Sequence, residues 1–132
     1  MIDKVGLLTI RDGRVLLCRK KRRTQLLILP GGKREAGESS LECLARELRE
    51  ELGDVAAVSP ELVGVYTHQA AGEPEKQVRI ELYRADLTNE PRPQSEIAEL
   101  IWFGAGDDWK LLAPSLAEAI FPDLRSRGII TF

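Results

Sequence analysis

Three glutamates, Glu47, Glu50 and Glu51, stand at i, i+3 and i+4 in a leucine-rich stretch. On a helix these spacings set three carboxylates side by side, where like charges cost about 0.2–0.5 kcal/mol per pair. A helix shaped only for stability would alternate its signs there. This one does so in part, through the pairs Glu42–Arg46 and Arg46–Glu50. Immediately upstream runs Pro30-Gly31-Gly32-Lys33-Arg34-Glu35-Ala36-Gly37-Glu38, a glycine-rich loop able to present backbone carbonyls and a further carboxylate. Several carboxylates with a carbonyl make a hard, all-oxygen donor set, which suits Mg²⁺ or Mn²⁺ and not zinc. Mg²⁺ keeps several waters and usually shares its coordination with substrate phosphates.

The elements that must position these groups can be read from periodicity. The spacing predicts a helix from about Leu41 to Leu52, opened by the capping box Ser39-x-x-Glu42 and closed by Gly53. Its buried face is expected to carry Leu41, Leu44, Ala45, Leu48 and Leu52. Val5–Ile10 and Val15–Cys18 read as strands joined at Asp12-Gly13. Leu26–Leu29 reads as a strand ended by Pro30, with Pro30-Gly31-Gly32 as a break. Leu62–Thr67, the alternating Val78–Tyr83 and Leu100–Phe103 complete the strands. His68–Glu75 and the Pro91–Pro93 region read as loops, and Pro114–Phe121 as a second helix. Strands interspersed with two helices predict an α/β (mixed α+β) domain, a mixed sheet covered by helices on both faces.

From Gly32 the residues run through Glu38 to Arg46-Glu47-Leu48-Arg49-Glu50-Glu51-Leu52-Gly53. This resembles the Nudix hydrolase pattern G-x5-E-x7-R-E-U-x-E-E-x-G-U, where U is bulky and apolar. Every fixed position up to Gly53 is present; the last apolar position is Asp54, with Val55 one step later. The resemblance implies an α/β/α sandwich around a mixed sheet, and hydrolysis of a nucleoside diphosphate linked to another moiety. It makes Glu50 and Glu51 metal ligands with the Gly31 carbonyl, and Glu47 a further ligand or the general base. It has Arg46 orient a glutamate, and Glu38 support the loop–helix junction or a second metal beside the substrate. Glu96, six residues before Trp102, is implied as an additional ligand, with Glu99 as its competitor. One of Arg19 and Lys20, at the end of the second strand, is implied to hold substrate phosphate as a charge donor.

Composition narrows the alternatives. The chain has 132 residues, 43% of them hydrophobic and 30% charged, with a net charge of −2. One domain spanning 1–132 is expected, without the basic field that would make nucleic acid the default partner. Aromatic residues are not interleaved with the run Arg19–Arg23, so stacking on single strands is not indicated. No apolar run approaches the ~20 residues of a membrane helix. Two cysteines without a C-x-x-C pair point to reduced thiols and a cytoplasmic location, not to zinc or dithiol chemistry.

Mg²⁺-dependent cleavage of a nucleoside triphosphate to monophosphate and pyrophosphate, of the MutT type, is the leading expectation. ADP-ribose, a nucleotide sugar or a dinucleoside polyphosphate is the alternative substrate, and a catalytically silent nucleotide sensor the alternative class. The intact Glu47, Glu50 and Glu51 argue against silence. Monomer and homodimer are both open. The single His68, the pair Asp107-Asp108 and the aromatics Tyr66, Tyr83, Trp102 and Trp109 read first as structural or solvated groups.

Overall fold

The computed structural model describes residues 1–22, 25–70 and 73–132. Their order is β1 (Ile2–Leu8), β2 (Ile10–Arg11), β3 (Arg14–Lys20), β4 (Gly31–Lys33), α1 (Ser40–Leu52), β5 (Ala57–Ala70), β6 (Glu73–Leu87) and β7 (Ile97–Phe103). A 3₁₀ turn, Trp109–Leu111, and a π-helical segment, Leu116–Ile120, then lead into α2 (Phe121–Ser126). The strands form a four-stranded sheet, β4-β1-β6-β5, and a three-stranded sheet, β2-β3-β7. The larger sheet is mixed, because β1 runs parallel to β6 and antiparallel to β4.

Alternation along the strands divides the apolar side chains between two cores. Val5, Leu7, Leu16 and Ala85 pack with Cys43, Leu44, Leu48 and Leu52 of α1. Leu8, Val15, Leu17, Val78, Ile80 and Leu82 pack with Leu116, Ile120, Phe121 and Leu124 from the other helical region. The two helical regions therefore cover opposite faces, which is the expected α/β/α layering.

Several boundaries differ from the sequence reading. The turn at Asp12-Gly13 forms, with φ of 53° and 74° at its two residues, as a two-residue hairpin demands. Leu26–Leu29 is not a strand: only isolated bridges join Ile28 to Cys18 and Leu27 to Leu112. The pairing falls instead to Gly31–Lys33, where the absence of a Cβ at Gly31 lets the chain lie close against β1. The supposed loop His68–Glu75 is largely strand, since β5 continues to Ala70 and β6 starts at Glu73. Ala71 and Gly72 within that stretch, and Arg23 of the basic run, lie outside the described residues. The second helix runs on past Phe121 to Ser126, its first part widened into a π turn.

Helix α1 has its capping box: Ser39 Oγ accepts from Glu42 N at 3.1 Å, and Glu42 Oε1 accepts from Ser39 N at 2.9 Å. Its buried stripe is displaced from the expected one. Leu41 is exposed, while Cys43 and Glu51 are buried with the leucines. Val55, not Asp54, supplies the apolar contact beyond Gly53. Asp54 stays exposed, and its carbonyl accepts from Asn89 Nδ2.

A second carboxylate pins the start of α1 to the sheet. Glu81 of β6 accepts from Ser40 Oγ at 2.7 Å, Arg79 Nη1 at 3.0 Å and Tyr83 OH at 3.2 Å, and also pairs with Arg34. Burial alone would raise its pKa. The bonds from Ser40 and Arg79 and the charge of Arg34 outweigh that and bring it down to about 2. A folded-state pKa below the unfolded value gives stability that is present above the usual carboxylate range and lost as pH falls toward 2. We predict that Glu81→Gln lowers the urea midpoint at pH 6. The variant's midpoint should also fall less than the wild type's between pH 6 and pH 3, and equal falls would contradict this role.

Candidate active site

The loop Pro30–Glu38 and helix α1 meet at Arg46. Its guanidinium forks onto Glu38, with Nε donating to Oε2 at 2.7 Å and Nη2 to Oε1 at 2.9 Å. Nη2 also donates to the Lys33 carbonyl at 3.0 Å, and Nη1 to Glu47 Oε1 at 2.9 Å. Glu50 Oε1 lies 3.5 Å from Nη1. One cation thus ties the loop to the helix and leans two of the three clustered carboxylates toward itself. The bonds from Arg46 hold Glu38 down to about pKa 2.

Gly31 and Gly32 bring the backbone against this junction. Leu7 N donates to Pro30 O and Arg34 N to Asp3 O, so with the register given Gly31–Gly6 and Lys33–Lys4 are the non-hydrogen-bonded pairs. The N–H and carbonyl of Gly31 therefore point away from β1, toward the open edge of β4. The N–H donates to Glu51 Oε1 at 2.8 Å. Gly31 has φ of 134°, and a Cβ there would stand 2.1 Å from Val5 O. At Gly32 a Cβ would stand 2.4–2.6 Å from the Glu47 carboxyl atoms, so its absence is what leaves room for that carboxylate.

The loop after β6 closes the other side. Arg92 N and Gln94 N donate to the carbonyls of Leu52 and Glu51, terminal groups of α1 with no partner within the helix. This docking carries Glu96 to the site. A cavity of about 490 Å³ results, lined on one side by Gly31, Gly32, Glu47, Glu50, Glu51 and Glu96 and also by Lys4, Lys20 and Lys33. Its remaining wall is largely aliphatic, from Ile28, Leu29, Val78, Ile80 and Leu116, with Ser115 beside them.

Of the expected site residues, Gly31, Glu47, Glu50, Glu51, Glu96 and Lys20 share this cavity. Arg46 and Glu38 stand behind it and are bonded to each other. Arg19 is turned away: it pairs with Glu99, opposite it on β7, and donates from Nε to Gln25 O. Lys20, next along β3 and so on its opposite face, lines the cavity instead. That pairing occupies Glu99, whereas Glu96 is open, with Lys20 Nζ 3.9 Å away. His68 pairs with Glu118, Asp107 accepts from Gly104 N and Asp108 caps Lys110, all outside the cavity lining. Trp102 carries Arg11 on its ring, and Trp109 packs on Phe121. Lys4 and Lys33 are the lining residues that the sequence reading passed over.

Electrostatics at the site favour a cation. Burial pushes Glu51 up to about pKa 7; the Gly31 N–H opposes this, and the charge of Glu47 adds to it. Among the described residues no three acidic, thiol or imidazole groups converge tightly enough to enclose a metal unaided. Mg²⁺ needs no such cage, since it is usually held by one or two carboxylates together with water and substrate phosphates. A desolvated carboxylate beside further carboxylates, with a glycine backbone at the same edge, fits that hard-oxygen requirement.

A model of the NUDIX domain matches residues 2–120. The chain belongs to this family. Among curated proteins it is 46% identical over 56 residues to the uncharacterized Nudix hydrolase YvcI of Bacillus subtilis, covering 42% of this chain and 34% of that one. It is 39% identical over 75 residues to CTP pyrophosphohydrolase of Escherichia coli, covering 54% and 55%. The matched segments thus span about a third and about half of these two relatives. The crystal structure of the MutT NUDIX hydrolase from Burkholderia pseudomallei superimposes with a TM-score of 0.68 at 31% identity, covering 77% of this chain and 81% of that one.

The two neighbouring glycines should fail differently. Gly31→Ala places a side chain at positive φ and against the β1 backbone, so we expect a loss of at least about 2 kcal/mol in urea unfolding. Gly32→Ala should keep most of the stability, because Glu47 can swing aside, but lose activity with Mg²⁺ by on the order of 10-fold or more. Equal losses of stability in the two variants would contradict this division.

Proposed function

We propose that the chain is a Mg²⁺-dependent pyrophosphohydrolase that cleaves a nucleoside triphosphate to a nucleoside monophosphate and pyrophosphate. The carrying observation is one cavity in which Glu47, Glu50, Glu51 and Glu96 share the lining with Lys4, Lys20 and Lys33. A polyphosphate bridged to the carboxylates by a divalent cation answers both sets of charge. The name of the Escherichia coli relative, CTP pyrophosphohydrolase, and the MutT-type structural neighbour support this reaction class. Mn²⁺ is the expected substitute metal. Two free, buried cysteines suit a reducing cytoplasm, and no helix among the described residues is long and apolar enough to cross a membrane.

Glu50 and Glu51, with the Gly31 carbonyl and Glu96, would hold the metal, and Glu47 would serve as a further ligand or take the proton of the attacking water. When bound, Mg²⁺ neutralises phosphate charge and acidifies a water. Arg46 fixes the direction of Glu47 through its 2.9 Å bond and keeps the glycine loop on the helix through Glu38. Lys20, from the end of β3, meets phosphate oxygens as a charge donor. The aliphatic wall leaves room for the nucleoside without an aromatic stacking partner among the described lining residues.

Glu51→Gln keeps the shape and can still accept from Gly31 N while removing the charge. It should lower kcat on the order of 100-fold or more, about 2.7 kcal/mol, with weaker apparent Mg²⁺ affinity and near-normal unfolding. Retention of most turnover would overturn the metal assignment. Glu96→Gln should cost on the order of 10-fold, and Glu99→Gln much less. The reverse order in steady-state assays would transfer the ligand role to Glu99.

A further inference from the structure

Lys4 sits where a strand residue should be apolar. It shares its side of β1 with Ile2 and Leu8, both of which pack in the core on the α2 side. Across the sheet it stands level with Lys33 of β4 and Ile80 of β6. Lys4 and Lys33 form a non-hydrogen-bonded antiparallel pair, the arrangement that brings opposed side chains closest. Like charges directly opposite destabilise a sheet. Among the described residues neither ammonium has an ion pair or a side-chain hydrogen bond. Among those residues Lys20, the third lysine lining the same cavity, pairs with Glu96 alone, at 3.9 Å. Arg34, one residue beyond Lys33, is by contrast paired with Glu81 and Asp3.

We propose that Lys4 is a substrate-binding residue that, with Lys33 and Lys20, holds the terminal phosphates of a substrate with a free polyphosphate end. The inference rests on the phosphoanhydride reading given above and deepens it by assigning Lys4 to the binding of the terminal phosphates. Three ammonium groups around one cavity match an anion carrying several charges spaced a few ångströms apart. An internal diphosphate capped by a sugar offers only two. The row Lys33–Lys4–Ile80 also sets a direction, with phosphates over the two lysines and the nucleoside toward Ile80 and Val78. Burial lowers the pKa of Lys4, with the charges of Lys20 and Lys33 adding to this and those of Glu51 and Glu47 opposing it.

The test compares wild type, Lys4→Met and Lys4→Arg. The readouts are inorganic pyrophosphate binding by calorimetry in Mg²⁺, steady-state kinetics on nucleoside triphosphates, and thermal unfolding. Lys4→Met should weaken pyrophosphate binding about 10-fold or more and raise KM more than it lowers kcat. Its Tm should be unchanged or higher, because an opposed pair of like charges is gone. Lys4→Arg should recover most of the affinity. Unchanged pyrophosphate affinity and KM in Lys4→Met would overturn the assignment while leaving the enzyme reading intact. A fall in affinity that tracks a fall in Tm, without recovery in Lys4→Arg, would reduce Lys4 to a structural residue. A wild type that neither binds pyrophosphate nor turns over any nucleoside triphosphate would overturn both.

Discussion

The guanidinium of Arg46 joins three pieces of chain at one point: the glycine loop, the end of β4 and helix α1. Its fork onto Glu38 closes the glycine loop, its bond to the Lys33 carbonyl fixes the end of β4, and its bond to Glu47 fixes one carboxylate of the cluster. Arginine suits this position because its planar donors serve several acceptors at once, which a lysine could not do. The capping box and the Glu81 cluster set the start of α1, and the β6–β7 loop covers its end. Between them the helix has little freedom to slide against β4.

That fixed register lets two adjacent glycines do different things. Gly31 turns its peptide outward to the edge, where Glu51 accepts its N–H; Gly32 leaves the volume that Glu47 fills. The resulting cavity brings carboxylates from α1, and Glu96 from the loop before β7, together with lysines from β1, β3 and β4. Opposite charges so close would ordinarily pair. Glu47 and Glu50 are instead engaged by Arg46 from behind, and Lys4 and Lys33 have no carboxylate partner among the described residues. Such an arrangement suits the phosphate substrate and divalent cation proposed for it.

Much of this was legible in the residues, for physical reasons that can be named. Glu47, Glu50 and Glu51 were found because their spacing costs a helix stability, and the start of α1 because Ser39 and Glu42 form a recognisable cap. The two-sided layering followed from strands interspersed with two helices. The strand character of Gly31–Lys33 was hidden, since glycines have weak strand preference and pair here through close backbone approach. The β5–β6 ribbon ran past its local signal because each strand supports the other through hydrogen bonds that no single segment reveals. Arg19 and Lys20 must face opposite ways on β3, but which of those faces meets the cavity depends on how the strand packs, which the local sequence does not reveal. Lys4 carried a signal that went unused: a charge interrupting the apolar side of β1 between Ile2 and Leu8.

The bond that breaks decides the account. Reaction of a nucleoside triphosphate in ¹⁸O-labelled water with Mg²⁺, with every product identified by mass spectrometry, follows the attacked phosphorus directly. The account predicts nucleoside monophosphate and pyrophosphate as the first products, with the label in one of those two. Orthophosphate released first, without pyrophosphate, would contradict it even if the carboxylate site binds metal as described.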